Sequence, residues 1–453
     1  MRFDFTGARV AVIGLGRSGM AAAQLLDKLG STVFVSERGE IGPEAKAWLE
    51  SNRFASEANG HTEAVLESQL IVVSPGVRID QPIFDKARAR GIPVIGEVEL
   101  ACSATQVPMV AVTGTNGKST TTSMIGAILT QAGRRALIGG NLAPGRPLCQ
   151  LASEAAAGDV IVAEVSTFQL ETIVDFRPAV GVVTNITPDH LDRHPDFETY
   201  AKLKAELFRN QSPNDFAVLN SDDQTVMDTC GHIRSTKLTF SRMGEVENGA
   251  WSDGSRLYLA CRGEGQGVMG TGELLVPGQH NVENALAAMA ATSAMGCGTE
   301  AMATGLRSFR GVPHRLEEVA VVRGVSYVNN SMCTNPAAGV SSLRAFDRHI
   351  VVIAGGREKG LDMGPFIREI ATRAKAAILI GESRTHLATE LASLGFDAAH
   401  PAADMKEAVA MAASLAEPGD VVLLAPGCSS FDMFSDFEER GIIFSQMVLK
   451  LPR

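Results

Sequence analysis

Seven consecutive residues, Gly114-Thr115-Asn116-Gly117-Lys118-Ser119-Thr120, concentrate more chemistry than any other stretch of the chain. Glycines let backbone N–H groups turn inward on an anion, Lys118 adds a cation, and the Ser119 hydroxyl suits a magnesium ion. An apolar run, 109–112, stands before them and a helix-like stretch, 121–129, stands after. That order of strand, loop and helix N-terminus favours phosphate and implies a nucleoside triphosphate. A second glycine turn, Gly14-Leu15-Gly16-Arg17-Ser18-Gly19, follows the run 10–13, and Ser36-Glu37-Arg38 ends the next run, where a ribose or base is read. Alone, this turn suits NAD(H), a flavin or any diphosphate-linked nucleotide. Glu164 ends the apolar run 160–163, at the carboxyl end of a predicted strand, where a carboxylate takes Mg²⁺. His190, in Thr184-Asn185-Ile186-Thr187-Pro188-Asp189-His190-Leu191-Asp192, follows the run 180–183 and falls at the same predicted edge, which makes room for two metal ions. Lys202 and Lys204 lie in a helical stretch, 200–208, and by pattern alone read as a solvated face.

These groups need a scaffold, and the hydrophobic pattern supplies three. Short β-branched runs at 10–13, 32–35, 70–73 and 93–95 alternate with helical spacers, as in a parallel sheet with crossover helices. A second segment opens near 101–108 and carries strands at 109–112, 160–164, 179–183 and 216–219. A third starts around Gly311-Val312-Pro313, with strands at 326–328, 349–354, 376–380 and 421–425. The expected fold is therefore α/β in three domains: an N-terminal Rossmann-like domain, 1–97, a central P-loop domain, 98–311, and a C-terminal Rossmann-like domain, 312–453.

Composition narrows the function. With 41 Lys and Arg against 51 Asp and Glu, the formal charge is -10, and no basic run is present, which argues against a nucleic-acid partner. Seven cysteines are odd in number, scattered and never spaced C-x-x-C, which fits a reducing cytoplasm rather than a disulfide framework or structural zinc. The N-terminus shows no basic-then-apolar pattern and no apolar stretch reaches bilayer length. A cytoplasmic monomer without membrane insertion is expected.

Five strings, taken together, resemble the Mur ligases. They are 114–120, Glu164-Val165-Ser166-Thr167-Phe168-Gln169-Leu170-Glu171, 185–192, Gly278-Gln279-His280-Asn281 with Asn284, and Gly311-Val312-Pro313-His314-Arg315-Leu316-Glu317. The Ser-x-Phe-Gln-Leu-Glu and Pro-His-Arg strings point to the branch that adds D-glutamate. The resemblance implies an ATP-dependent ligase that joins D-glutamate to UDP-N-acetylmuramoyl-L-alanine through an acyl phosphate, in cytoplasmic peptidoglycan precursor synthesis. On it, Gly14, Leu15, Gly16, Arg17, Ser18, Ser36, Arg38, Ser74, Gly76 and Asn141 would hold the UDP-linked substrate, with Ser166 and Gln169 at its muramoyl-alanine portion. Gly114, Thr115, Asn116, Gly117, Lys118, Ser119 and Thr120 would bind ATP, with Asn281 and Asn284 near the adenine and Arg315 and Asn330 reaching the nucleotide. Ser119, Glu164, His190 and Lys204 would hold two Mg²⁺, and Lys118, Glu164, His190 and Lys204 would carry catalysis. In that family the lysine matching Lys204 is carbamylated by CO₂, which turns a cation into a carboxylate ligand. Thr334, Lys359, Ser430, Phe431 and Phe437 would receive the amino acid.

The chain departs from the family at one string: where the family reads Asp-Ser-Lys-Ala-Thr-Asn, it has Asn330-Ser331-Met332-Cys333-Thr334-Asn335. A carboxylate and a cation are lost there, which bears on nucleotide contacts and on acceptor choice. Ala143 replaces a glycine often found after Gly-Gly-Asn. Two alternatives stand beside this reading. One is a Mur-type ligase for another amino acid such as L-glutamate; the other is an NAD-dependent oxidoreductase that uses the Gly14 turn with Glu37 on the ribose.

Overall fold

A computed structural model describes residues 3–142, 145–189, 193–276, 278–347 and 349–452. The backbone groups into two compact units, Met1–Phe309 and Arg310–Arg453. Three sheets, two in the first unit and one in the second, give a three-domain α/β architecture.

The first sheet is parallel, in the order Ala55–Glu57, Thr32–Ser36, Arg9–Ile13, Leu70–Val73, Val94–Gly96. Val10 and Val12 feed one core and Ala11 and Ile13 another, so both faces are covered and the strands read as unbroken apolar runs. Helix Arg17–Lys28 follows the Gly14 turn. A Cβ on Gly19 would lie 1.9 Å from the Gly14 carbonyl oxygen, so helix and strand close together only around a glycine.

The second sheet has nine strands: Glu264–Gly270, Arg256–Cys261, Gly249–Ser252, Thr236–Ser241, Phe216–Asn220, Val180–Val183, Met109–Thr113, Val160–Glu164 and Ala136–Gly140. The seven from Gly249–Ser252 to Ala136–Gly140 run parallel, and an antiparallel hairpin extends one edge. Pattern reading misses that extension because its strands lack an unbroken apolar run and are only partly buried, and the second is interrupted by glycine. Strand Met109–Thr113 lies between Val160–Glu164 and Val180–Val183, which come later in the chain on opposite sides of it. A crevice opens at such a switch point, outside the carboxyl ends of the strands.

The second unit is built on a six-stranded sheet, in the order Glu317–Val322, Val325–Asn329, Val421–Leu424, Ile350–Gly355, Ala374–Ile380, Ala399–Pro401, parallel except for its first strand. Apolar clusters cover both faces. The division at Phe309 falls just before the Gly311 string at which the third segment begins in the sequence.

Candidate active site

The glycine-lysine loop joins strand Met109–Thr113 to helix Lys118–Gln131, which starts three residues earlier than the apolar pattern predicts because Lys118 itself opens the first turn. Gly114 has φ +145° and Gly117 φ +82°, values that side-chain-bearing residues rarely adopt. The loop is clasped by the segment after strand Val180–Val183. Thr115 N–H donates to the Asn185 carbonyl at 2.9 Å, Asn116 N–H to Asn185 Oδ1 at 2.8 Å, and Thr184 Oγ1 to the Asn116 carbonyl at 2.6 Å. Helix Gln279–Ala294 closes the other side: Thr121 Oγ1 donates to Asn284 Oδ1 at 3.3 Å, and Asn284 donates to Asn281 Oδ1 at 3.1 Å. The fold therefore brings Asn281 and Asn284 to the loop from more than 150 positions away in sequence, Thr121 and Asn284 being 163 apart.

Register places Glu164 beside Val112, one strand over from the loop. Its carboxylate is 3% exposed and accepts from Ser119 Oγ at 2.6 Å and from the Asn141 amide at 2.9 Å. A carboxylate and a hydroxyl thus converge at the phosphate end of the loop, the donor set that suits Mg²⁺. Lys204 lies on helix Phe197–Ala205 and is 2% exposed. Its Nζ donates to the Gly114 carbonyl at 2.8 Å and sits 4.4 Å from the centre of the Tyr200 ring. Lys118 Nζ shares that carbonyl at 3.1 Å. Burial, with the Lys118 charge alongside, pushes the Lys204 amine down to about 7. The solvated-face pattern holds for Lys202, whose side chain is 69% exposed and pairs with Glu198 at 2.6 Å, but it fails for Lys204. Nine residues of helix place the two lysines on different faces, and the second turns into the sheet. His190 lies outside the described residues, as does Ala143.

A cleft of about 470 Å³ adjoins the glycine turn of the first sheet and is lined by Gly14, Leu15, Gly16, Arg17 and Ser18, by Ser74 and Gly76, and by Asn141 and Gln169. A neighbouring cavity of about 310 Å³ is lined by Arg38, His61 and Gly76 among others. Glu37 lines both, and its carboxylate accepts the Leu15 N–H at 2.7 Å. Ser36 does not face either space: it is fully buried, with Oγ 2.6 Å from Glu57 Oε1 and 2.7 Å from His61 Nδ1. The strand's alternation decides this, since adjacent residues point to opposite sides. Ser166 opens the short helix Thr167–Leu170 in a capping box, its N–H donating to Gln169 Oε1 at 3.0 Å. Asn141 belongs to both places, lining the cleft while its amide holds Glu164.

In the second unit, Asn330 and Thr334 follow strand Val325–Asn329, Lys359 follows Ile350–Gly355, and Ser430 and Phe431 follow Val421–Leu424. These three strands are neighbours, so the residues collect at one carboxyl edge. Phe431 is 64% exposed, Ser430 is buried, and Phe437 opens helix Phe437–Leu449. Asn330 uses both ends of its amide within the unit, accepting from Leu316 N–H at 3.2 Å and donating to Ser342 Oγ at 2.6 Å. Arg315 is exposed between His314 and Leu316, at φ +62° and +47°, the kind of backbone strain that gathers at functional sites.

Comparison with known proteins accords with this arrangement. Residues 8–96 match the N-terminal domain of MurD-like Mur ligases, 112–292 the Mur ligase middle domain, and 314–428 the Mur ligase glutamate ligase domain. The UDP-N-acetylmuramoylalanine–D-glutamate ligase of Pelotomaculum thermopropionicum is 46% identical over 99% of this chain and 99% of its own. The chain belongs to the Mur ligase family, in that D-glutamate ligase branch. A second Mur ligase of the branch, from Caldanaerobacter subterraneus, is 40% identical over 98% of this chain and 99% of its own. Among solved structures, the Thermotoga maritima UDP-N-acetylmuramate-alanine ligase MurC has a TM-score of 0.57 at 22% identity, covering 98% of this chain and 99% of that one. MurF from Acinetobacter baumannii gives 0.57 at 17%, covering 98% and 93%. Those two show the Mur ligase fold. Family membership sets the oxidoreductase alternative aside. Thr184 and Asn185 stand in a string that the sequence singles out for His190, and Glu37 lies between Ser36 and Arg38 in the ribose-reading string yet is absent from the expected donor-binding set. His61 and Arg440 carry no local signal in the sequence.

Proposed function

We propose that this Mur ligase joins D-glutamate to UDP-N-acetylmuramoyl-L-alanine, with ATP as the source of activation, in peptidoglycan precursor synthesis. The observation that carries the site assignment is the convergence of Ser119, Glu164 and Lys204 on the glycine-lysine loop. MgATP is held by 114–120, with Asn281 and Asn284 beside it. Ser119, Glu164, His190 and a carbamate on Lys204 would hold two Mg²⁺, whose positive charge would offset that of the phosphates. Lys204 fits carbamylation because an amine must be neutral to attack CO₂, and burial supplies that neutral form near pH 7.

A carboxylate is a poor acyl donor because oxide is a poor leaving group. Its oxygen takes the γ-phosphoryl group of ATP, ADP leaves, and the resulting acyl phosphate has phosphate as its leaving group. The amine of D-glutamate attacks the acyl carbon, loses a proton, and phosphate departs as the amide forms. Lys118 balances negative charge during phosphoryl transfer. The cleft of about 470 Å³ takes the UDP-linked donor, and Asn141 joins that cleft to Glu164. Ser36 serves the neighbouring cavity of about 310 Å³ by bracing His61, which lines it, rather than by direct contact. Thr334, Lys359, Ser430, Phe431 and Phe437 receive the amino acid. The domains are 1–97, 98–311 and 312–453, and the three matched segments fall within these bounds. The enzyme works as a cytoplasmic monomer; among the described residues no helix is long and apolar enough to cross a membrane.

Met332, where the family has a lysine, favours testing the acceptor directly. Coupled ADP release is measured with UDP-N-acetylmuramoyl-L-alanine across a panel of D- and L-amino acids, with the products identified by mass. D-glutamate is expected to give the highest kcat/KM and a product heavier by one glutamyl residue. A preference for L-glutamate sinks the acceptor assignment, and ADP release indifferent to donor and amino acid sinks the ligase reading.

A further inference from the structure

Among the described residues Arg440 is the largest fully buried side chain, at 0% exposure. It lies on helix Phe437–Leu449, capped by Asp436, and its guanidinium spends its donors on two loops. Nε donates to Ser331 Oγ at 3.0 Å, Nη2 to the Ser331 carbonyl at 2.8 Å, and Nη1 to the Cys428 carbonyl at 3.2 Å. Ser331 Oγ in turn donates to the Phe437 carbonyl at 2.7 Å, which closes the arrangement onto the start of the same helix.

The acceptors are neutral oxygens. Burying a cation against carbonyls and a hydroxyl is expensive compared with an apolar side chain of the same volume, so packing does not account for an arginine here. Burial pushes Arg440 down to about 10, which still leaves it charged at neutral pH. What the guanidinium alone supplies is a rigid planar fork that reaches two backbones at once, together with a fixed positive charge. Both loops lead into the sheet edge assigned to the amino acid: Thr334 is three residues past Ser331, and Ser430 is two past Cys428. The third loop is stitched on by the paired backbone bonds of Arg357 and Ser429, at 3.0 and 2.9 Å, two residues before Lys359.

We propose that Arg440 is a positioning residue for acceptor binding: its buried guanidinium ties the Thr334 loop to the Ser430 loop, sets their separation, and lends positive potential to a pocket for an acidic amino acid. The inference rests on reading this edge as the acceptor site. Asn330, next to Ser331, keeps its amide on Leu316 and Ser342, so the loops that Arg440 ties serve the amino acid, and its removal is expected to raise the KM of that substrate alone.

The test is steady-state ADP release by the full-length enzyme, with D-glutamate, UDP-N-acetylmuramoyl-L-alanine and ATP varied in turn. Arg440→Met is expected to raise the KM for D-glutamate at least tenfold and to leave the other two within twofold. Arg440→Lys, which returns the charge without the fork, recovers part of that loss. Ser331→Ala keeps the buried cation and removes one acceptor; it is expected to raise the D-glutamate KM about threefold, and it decides the matter if the Arg440 variants do not fold. Three KM values that rise together, or a fall in kcat with the D-glutamate KM unchanged, overturn the proposal while an active wild type preserves the functional reading. A wild type that adds no amino acid overturns both.

Discussion

Lys204 offers the sharpest quantitative test, because its environment makes opposite demands on stability and on chemistry. With its amine at about 7, roughly half is neutral at pH 7, whereas an ordinary lysine near 10.5 is neutral in about one molecule in 3,000. The free-amine fraction available to CO₂ is thus about a thousandfold larger than on the surface. The same shift carries a cost. Below pH 7 the folded protein holds a buried cation that the unfolded chain hydrates freely, and lowering the amine from an ordinary 10.5 to about 7 corresponds to about 5 kcal/mol. Between pH 7 and 10.5 the unfolded chain binds more protons at this site than the folded one, so stability rises with pH across that window. Lys204→Met removes the term. In metal-free, bicarbonate-free buffer the variant is expected to be the more stable at pH 7, with its advantage shrinking by about 4 kcal/mol as pH approaches 10.5. Trp48 and Trp251, the chain's only tryptophans, both lie in the unit that holds Lys204, so urea unfolding followed by their fluorescence reads the relevant transition. An advantage that stays flat across the window would refute the lowered amine. On the chemical side, Lys204→Ala is expected to lose ligation by more than about 100-fold, as befits a metal ligand, with partial recovery in added small carboxylates. A ¹³C carbamate resonance, raised in the wild type by labelled bicarbonate and missing in the variant, checks the modification itself.

Gly114→Ala puts a Cβ 1.9 Å from Thr184 Oγ1 at a φ of +145°, a strain of about 1–3 kcal/mol; ATP affinity by calorimetry is expected to fall with donor affinity intact. Glu164→Gln keeps the size but loses the charge between Ser119 and Asn141. Its ADP release is expected to drop at least 100-fold at low magnesium, with the magnesium titration shifted upward. Ser36→Ala strips a hydroxyl from Glu57 and His61 and is expected to lower stability by about 1–2 kcal/mol. The KM for the UDP-linked donor should stay within twofold, and a larger rise would show that Ser36 touches the nucleotide.

The three α/β segments, the glycine-lysine loop and the carboxylate at Glu164 are legible in the residues because their signals are local. An apolar run ends, a glycine turn follows, and a helix begins within a dozen positions. The antiparallel edge hairpin from Arg256 to Gly270 is not legible, since half-exposed strands, the second of them broken by glycine, have neither a strong period nor an apolar run. The side-chain arrangement at the site depends on distance through space. Lys204 owes its low amine to burial and then to the Lys118 charge, and its Nζ is held to the Gly114 carbonyl, 90 residues away. Ser36 and Glu37 are adjacent in the chain, yet one is spent inside and the other lines the cleft, because a strand sends neighbours to opposite faces. Arg440 meets Ser331 across 109 positions, a contact created only when two parallel strands and a helix pack together. Residue type and local order therefore determine which chemistry this chain can attempt. Protonation state, hydrogen-bond partner and exposure are set by neighbours that only the folded sheet assembles.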